Sequence, residues 1–352
     1  MNDVKRCWEI LPNVSRSFSL CIRILPRPLN SQMMVSYLIY RILDTIEDSA
    51  APLDVKSGLF EEFLGLLNGK RMDDGKAASC SQKLLAGLNY TYEKELLENA
   101  ASVARAYFAQ PAGVRRYILK RGKAMARGMY EFQERGIETF ADQNRYSHYV
   151  AGVIGYLFTD LLHFNGIITK GLRLRLRMYA RHFGLALQKV NILRDIAHDI
   201  KENRHYWPSA IMAKYGLTYE SLCLREKREA AMKVLREQIR NAQRYLVSAM
   251  KYILLLPKNA HRVRMFCIIP LFMAIESYVK CIGNSEIFDS GKVVKISREQ
   301  VQEIVAKSGM WGASNERLVS WFLQAMGNVS PNLEREYTAM FASAPAAVSS
   351  NK

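Results

Sequence analysis

Tyr37-Leu38-Ile39-Tyr40-Arg41-Ile42-Leu43-Asp44-Thr45-Ile46-Glu47-Asp48 is a run without glycine or proline in which apolar residues surround the charges. Read as a helix, Tyr37, Arg41, Asp44 and Asp48 step by four, three and four and share one face. Glu47, three after Asp44, joins the same edge. Carboxylates gathered this closely repel one another unless something positive sits among them. Mg2+ takes oxygen ligands and bridges one or two carboxylates to substrate phosphates. Taken alone, the stripe is equally compatible with a solvated acidic turn at a helix end.

A second stretch repeats the design: Gln188-Lys189-Val190-Asn191-Ile192-Leu193-Arg194-Asp195-Ile196-Ala197-His198-Asp199. Gln188, Asn191, Asp195 and Asp199 step by three, four and four, again on one helical face. Arg194 lies beside the acids, as Arg41 does in the first stretch. Two such amphipathic helices can face each other across a bundle and cage Mg2+ ions with a diphosphate. The coincidence of the two stretches carries far more weight than either alone.

With these stretches in hand, the chain resembles the squalene/phytoene synthase family. The other matching segments are Val14-Ser15-Arg16-Ser17-Phe18-Ser19, Tyr146-Ser147-His148-Tyr149-Val150-Ala151-Gly152 and Arg204-His205-Tyr206-Trp207-Pro208. Met265-Phe266-Cys267-Ile268-Ile269-Pro270, with Met273-Ala274-Ile275, resembles the squalene synthases of that family more than its phytoene synthases. The family usually reads DxxED in the second stretch, and here His198 stands in place of the Glu. His198 is no hard oxygen ligand, although when protonated it can hydrogen-bond a diphosphate.

The resemblance implies an all-α, single-domain isoprenoid synthase helical bundle with a central apolar cavity, over residues 1–342. It implies a prenyltransferase that joins two farnesyl diphosphates head to head into presqualene diphosphate, then reduces it with NADPH to squalene for sterol or hopanoid biosynthesis. Asp44, Glu47, Asp48, Asp195 and Asp199 are the implied Mg2+ ligands. Ser15, Arg16, Ser17, Arg41, Gln188, Asn191, Arg194 and Arg204 are the implied diphosphate binders. Tyr149 is the implied acid–base group, with Tyr37 as its partner. Arg16, Arg41, Arg194, Lys295 and Arg298 are the implied contacts to the nicotinamide cofactor. Two other readings stay open: an enzyme that stops at presqualene diphosphate or makes a dehydrosqualene- or phytoene-like product, and a silent prenyl-diphosphate-binding protein, in whose favour only His198 speaks.

Composition narrows the class. Of the 352 residues 49% are hydrophobic and 24% charged, which suits a globular chain with a large core. The net charge of +17 suits an anionic partner. Its densest basic cluster, Lys170, Arg173, Arg175, Arg177 and Arg181, alternates along a helical stretch and reads as a solvated face, and no nucleic-acid motif accompanies it. Diphosphate substrates and a membrane surface explain the charge more economically than nucleic acid. The six cysteines are scattered without a CxxC pair and read as reduced core thiols. Asp3, Lys5, Arg6 and Glu9 argue against a signal peptide, and no uncharged run reaches spanning length. The expectation is a cytoplasmic protein without a transmembrane anchor, peripheral at a membrane surface at most, with no oligomer required. The small-residue tail 343–352 reads as disordered.

Along the chain, Asn13 or Ser15 caps a first helix, and Pro26, Pro28 and Pro52 bracket the acidic helix. Lys70 to Ser81 reads as a loop, and helical periodicity resumes over Gln82 to Phe108. Asp142 or Asn144 opens a helix from Tyr146 to Gly166 whose uncharged wall holds Tyr149, Val153, Tyr156 and Leu157. Gly152 and Gly155 on that helix permit close approach. Residues 171–200 read as one helix, 218–255 as another, and Pro270 kinks or bounds the apolar helix 260–282. Lys292 to Ile296 is the only short strand candidate.

Overall fold

Among the described residues, 3–87, 93–292 and 294–327, with the Arg16 side chain excepted, every regular element of this computed structural model is a helix. In chain order these are α1 (Asp3–Val14), α2 (Arg16–Ile24), α3 (Leu29–Asp48), α4 (Leu53–Leu67), α5 (Asp74–Gly87), α6 (Lys94–Glu98), α7 (Ala100–Phe108) and α8 (Ala112–Arg135). Then come α9 (Phe140–Ser147), a π turn (His148–Gly152), α10 (Val153–Phe164), α11 (Lys170–Arg194) and α12 (Ile196–Lys201). The last are α13 (Ser209–Ala213), α14 (Tyr219–Leu222), α15 (Arg228–Leu255), α16 (His261–Cys281), α17 (Arg298–Trp311) and α18 (Asn315–Gly327). The described part of 292–296 carries no strand. The tail 343–352 lies outside the described residues.

The chain divides into two compact units, residues 1–136 with 153–173, and residues 137–152 with 174 onward. In the first unit α3 packs on α1, α7 and α8. Leu38, Ile39, Ile42, Leu43 and Ile46 are fully buried along α3, and each such side chain stabilises the fold by about 1.5–3 kcal/mol before entropy is counted. The Tyr40 hydroxyl, buried with them, donates to the Ile118 carbonyl of α8 at 3.0 Å. Pro28 and Pro52 immediately precede α3 and α4.

The loop expected over Lys70–Ser81 is shorter, because α5 already begins at Asp74. The Asp73 carboxylate accepts from the Lys76 amide at 3.0 Å, and Ala77 and Cys80 turn inward at three-residue spacing. The polar, glycine-bearing composition hid those two inward positions. The stretch 82–108 is not one helix but the end of α5, then α6 and α7, with 88–92 outside the described residues.

In the second unit α16 packs on α15, α17 and α18. It runs straight through Pro270 instead of ending there. The missing amide is tolerated because Phe266, Ile268, Ile269, Leu271 and Phe272 bury the helix on both sides of the proline. Thr139, not Asp142 or Asn144, opens α9, in a reciprocal capping box with Asp142. The stretch 218–255 resolves into α14, a short 3-10 turn and α15.

Arg264 is the most demanding residue of this unit. It is fully buried and donates to the carbonyls of Gly312 (2.5 Å), Ile253 (3.0 Å) and Leu256 (2.7 Å) and to Asn315 Oδ1 (2.7 Å). It thus satisfies carbonyls left over where α15 ends and α17 turns into α18. Desolvation lowers its pKa to about 10. Arg264→Leu leaves these acceptors unpaired in the core, a cost on the order of 3 kcal/mol. An apparent Tm lower by roughly 5 °C or more is expected by calorimetry; an unchanged Tm means that water replaces the guanidinium at no cost.

Candidate functional site

The first acidic stripe ends a helix. Asp44, Glu47 and Asp48 occupy the last turn of α3, where the helix macrodipole is already negative and further anions are unfavourable. That end is held firmly. The Glu47 carbonyl accepts from Lys56 Nζ of α4 and Gln133 Nε2 of α8, both at 2.7 Å. The Glu47 side chain is buried, Asp44 is half-buried and Asp48 is exposed, so the three acids stand at different depths.

Arg41 answers the charge. Its guanidinium binds Glu93 at 2.5 Å and reaches Asp44 at 3.8 Å. Glu93 has no counterpart in the sequence argument, because nothing in the residues around it carries a motif. Burial pushes the Asp44 carboxyl up to about 7 from 3.8; Arg41 pulls it down, while Asp48 and Glu93 push it further up. A third of the Asp44 side-chain surface is open (34%), so solvent tempers the shift, but burial remains its largest cause. Beside this stripe, Ser15 caps α2 by accepting from the Phe18 amide at 3.2 Å. The same hydroxyl reaches the Tyr37 phenol, whose pKa is raised, first by burial. Tyr37 also stacks loosely on Phe18, with ring centroids 5.7 Å apart. Ser17 is exposed, and the Arg16 side chain lies outside the described residues.

The second stripe, in the other unit, also ends a long helix. The helix expected over 171–200 breaks at Asp195, between α11 and α12. Backbone hydrogen bonds still pass through the break, Asp195 N to Asn191 O at 2.9 Å and Asp199 N to Asp195 O at 2.8 Å. Arg194 grips its own neighbour, Nε and Nη2 lying 2.7 and 2.5 Å from the two Asp195 oxygens. This bidentate fork is the strong form of a charge-assisted pair. Asp199 is buried, Gln188 half-buried, and Asn191 and His198 exposed.

The segment after α12 is pinned back onto the helix. Trp207, fully buried, donates to the Ile192 carbonyl at 3.0 Å, and the Arg204 amide donates to the Asp199 carbonyl at 2.7 Å. Asn203 takes the left-handed conformation (φ 55°) that lets the chain turn there. The Arg-His-Tyr-Trp-Pro run therefore places Arg204 next to Asp199 by backbone contact.

Tyr149 sits in the π turn, not in a plain α-helix. The wall expected on one helix is split, Tyr149 in the turn and Val153, Tyr156 and Leu157 on α10. Gly184 of α11 explains the close packing on the turn. A Cβ there would lie 2.2 Å from the Ala151 carbonyl oxygen, so only glycine fits. A Cβ on Gly152 would meet His148 Nδ1 at 2.8 Å and Leu185 Cδ1 at 3.0 Å. Single-turn π segments interrupt helices preferentially at functional sites. Lys295 and Arg298 are exposed cations flanking Ser297, which caps α17.

Among the described residues, no three His, Cys, Asp or Glu side chains close on one point. Neither stripe is a finished cage. Mg2+ keeps several waters and takes one or two carboxylates beside phosphate oxygens. Two aspartates per stripe, on helix ends that carry an arginine beside them, fit that mode.

Comparison with known proteins gives the following. The family model for squalene/phytoene synthase matches residues 11–300. The squalene synthase of Schizosaccharomyces pombe is 30% identical over 314 residues, covering 87% of this chain and 65% of that protein. Squalene synthase 1 of Arabidopsis thaliana is 31% identical over 306 residues, 86% of this chain and 70% of its own. The chain thus spans about two thirds of the length of these relatives. The structure of TcSQS with the ligand E5700 superposes with a TM-score of 0.82 at 28% identity, over 97% of this chain and 98% of that one. A dehydrosqualene synthase, at a TM-score of 0.58 and 16% identity, shares the fold.

Asp44 yields a pH test. Stability that it contributes below its unfolded value near 3.8 is lost as pH rises through about 7, where the buried carboxyl ionises. Mg2+ competes with that proton. Added Mg2+ should raise the apparent Tm more at pH 8 than at pH 6, and Asp44→Asn should flatten the difference. Equal shifts at both pH values in the parent would rule Asp44 out as a ligand.

Proposed function

The chain belongs to the squalene/phytoene synthase family, and from that premise we propose that it is a squalene synthase. It condenses two farnesyl diphosphates head to head into presqualene diphosphate and reduces that product with NADPH to squalene. The observation that carries this reading is the doubled stripe: two long helices, each ending in aspartates beside an arginine already bound to a carboxylate. Residues 1–342 form the proposed catalytic domain.

Asp44, Asp48, Asp195 and Asp199, with Glu47 close by, would hold Mg2+, which when bound would neutralise the leaving diphosphate. Arg16, Arg41, Arg194 and Arg204 take its oxygens, with Ser15, Ser17, Gln188 and Asn191 completing the hydrogen bonds. Arg194 leaves Asp195 to do so, exchanging one anion for another. Departure of diphosphate leaves an allylic cation, which apolar walls keep from water. The double bond of the second substrate attacks it, closing a cyclopropane and releasing one proton. Tyr149 receives that proton and passes it to the released diphosphate, because a phenol is by itself a weak base near neutrality. Tyr37, whose burial raises its pKa and favours the phenol, is the proposed proton-donating partner of Tyr149. In the second half-reaction the remaining diphosphate departs; Arg16, Arg41, Arg194, Lys295 and Arg298 would hold the phosphates of NADPH, which when bound would supply the hydride. The product is apolar, and contact with a membrane surface gives it an exit.

Purified protein with farnesyl diphosphate and Mg2+ should form presqualene diphosphate without NADPH and squalene with it. Asp44→Asn and Asp195→Asn should each lose about tenfold or more in turnover. Tyr149→Phe should slow the first half-reaction by a similar factor and leave Tm unchanged. Parental rates in these variants, or a product that ignores NADPH, refute the assignment.

One observation favours a second product. His198 is exposed and takes no part in the described side-chain hydrogen bonds or ion pairs, where the family usually carries Glu. An enzyme that stops at presqualene diphosphate is the alternative it supports. His198→Glu is expected to leave the first half-reaction intact and to change the Mg2+ dependence of turnover; identical Mg2+ requirements make His198 a bystander.

A further inference from the structure

Leu174 and Met178, on α11, are 61% and 62% exposed. Spaced by four, they are neighbours on one helical face. The other exposed large apolar side chains among the described residues, Leu20, Val55, Phe164, Leu224 and Met310, form no such pair in sequence. On the opposite side of the same turns, Leu176 and Ala180 are fully buried. The helix is therefore apolar on two sides, and only one of them is covered.

Cations flank the uncovered side. At about 100° per residue, Arg175 lies on one flank and Arg177 on the other, while the Arg181 stem packs beside Gly152 and its Nε is buried. α11 has no acidic residue along its length. The chain as a whole carries +17. A second copy of the chain is a poor match, since a two-fold interface over this face would set arginine against arginine without a carboxylate from α11 to pair them. A nucleic acid would find charge but no use for two protruding aliphatic side chains. An anionic bilayer matches both features, with acyl chains for the apolar pair and lipid phosphates for the guanidiniums.

We propose that this face of α11 docks the protein peripherally on an anionic lipid surface, Leu174 and Met178 inserting at the acyl boundary and Arg175 and Arg177 on its flanks meeting lipid phosphates. No helix among the described residues is long and apolar enough to cross a membrane, and the docking face needs none. The inference stands on the exposure and charge of α11 and does not depend on the reaction proposed above.

The test uses the full chain and sucrose-loaded vesicles of phosphatidylcholine, alone and mixed with phosphatidylglycerol. The parent should sediment with the mixed vesicles, less at high salt, and weakly with the neutral ones. Leu174→Asp with Met178→Asp should lower partitioning about tenfold or more, and Arg175→Glu alone about fivefold or more. Because Leu174 and Met178 are exposed, their replacement should leave the circular dichroism spectrum and Tm unchanged, and Arg175→Glu reports independently if the double variant does not fold. Failure of the parent to bind mixed vesicles overturns the proposal, as does equal binding by folded variants. Concentration-dependent dimerisation that needs Leu174 and Met178, without vesicle binding, assigns the face to a second copy and overturns it too.

Discussion

Both acidic stripes lie where helices end, and the site's chemistry depends on that placement. A helix C-terminus presents unsatisfied carbonyls and a partial negative charge, and aspartates there add to it. Such an arrangement persists only if something positive compensates. In α3 the compensation comes from Lys56 on the Glu47 carbonyl and from Arg41. At the end of α11 it comes from Arg194, folded onto Asp195. In the proposed reaction a divalent cation would take the places the guanidiniums hold, with higher charge density. A diphosphate arriving with Mg2+ would offer each displaced guanidinium a new anion, so the exchange would leave no charge uncovered.

Much of this was legible from spacing. The steps of four, three and four that put Tyr37, Arg41, Asp44 and Asp48 on one face need only helical geometry, and α3 is helical throughout. Depth was not legible. Glu47 faces the interior while Asp48 faces out, because Glu47 falls on the edge of the apolar stripe formed by Leu43 and Ile46. Nor was Glu93, which reaches Arg41 from 52 positions away. A long-range ion pair leaves no periodic trace in a sequence.

The breaks inside helices were the hardest features to anticipate. Asp195 and the His148–Gly152 turn both interrupt stretches whose residues favour continuous helix. At the first break the contact is local, the Arg194 fork engaging its own neighbour Asp195. At the second it is tertiary, the missing Cβ of Gly184 letting α11 come against the Ala151 carbonyl. The sequence pointed to Gly152 as a point of close approach, but the tighter contact belongs to Gly184, a glycine in an otherwise ordinary helical run.

Lys189 shows how the second unit keeps its acid-bearing helix in place. It lies one residue from half-buried Gln188, about 100° round the helix, and is buried. Its amine donates to Gln143 Oε1 at 2.7 Å, and Gln143 Nε2 donates to the Tyr206 carbonyl and to Gln238 Oε1, both at 3.0 Å. One glutamine thus ties α9, α11, α15 and the segment after Arg204 together. Burial, then the nearby Arg244, lowers the Lys189 pKa to about 6. With the folded value below the unfolded one, the protonated amine is disfavoured in the fold, and stability gained from this group rises as pH climbs from about 6 toward 10.5. At neutral pH the lysine is therefore tolerated at some expense of stability. What that expense secures is direction: a leucine would fill the space, but it would leave Gln143 Oε1 without a donor and the Tyr206 backbone without a partner of fixed orientation.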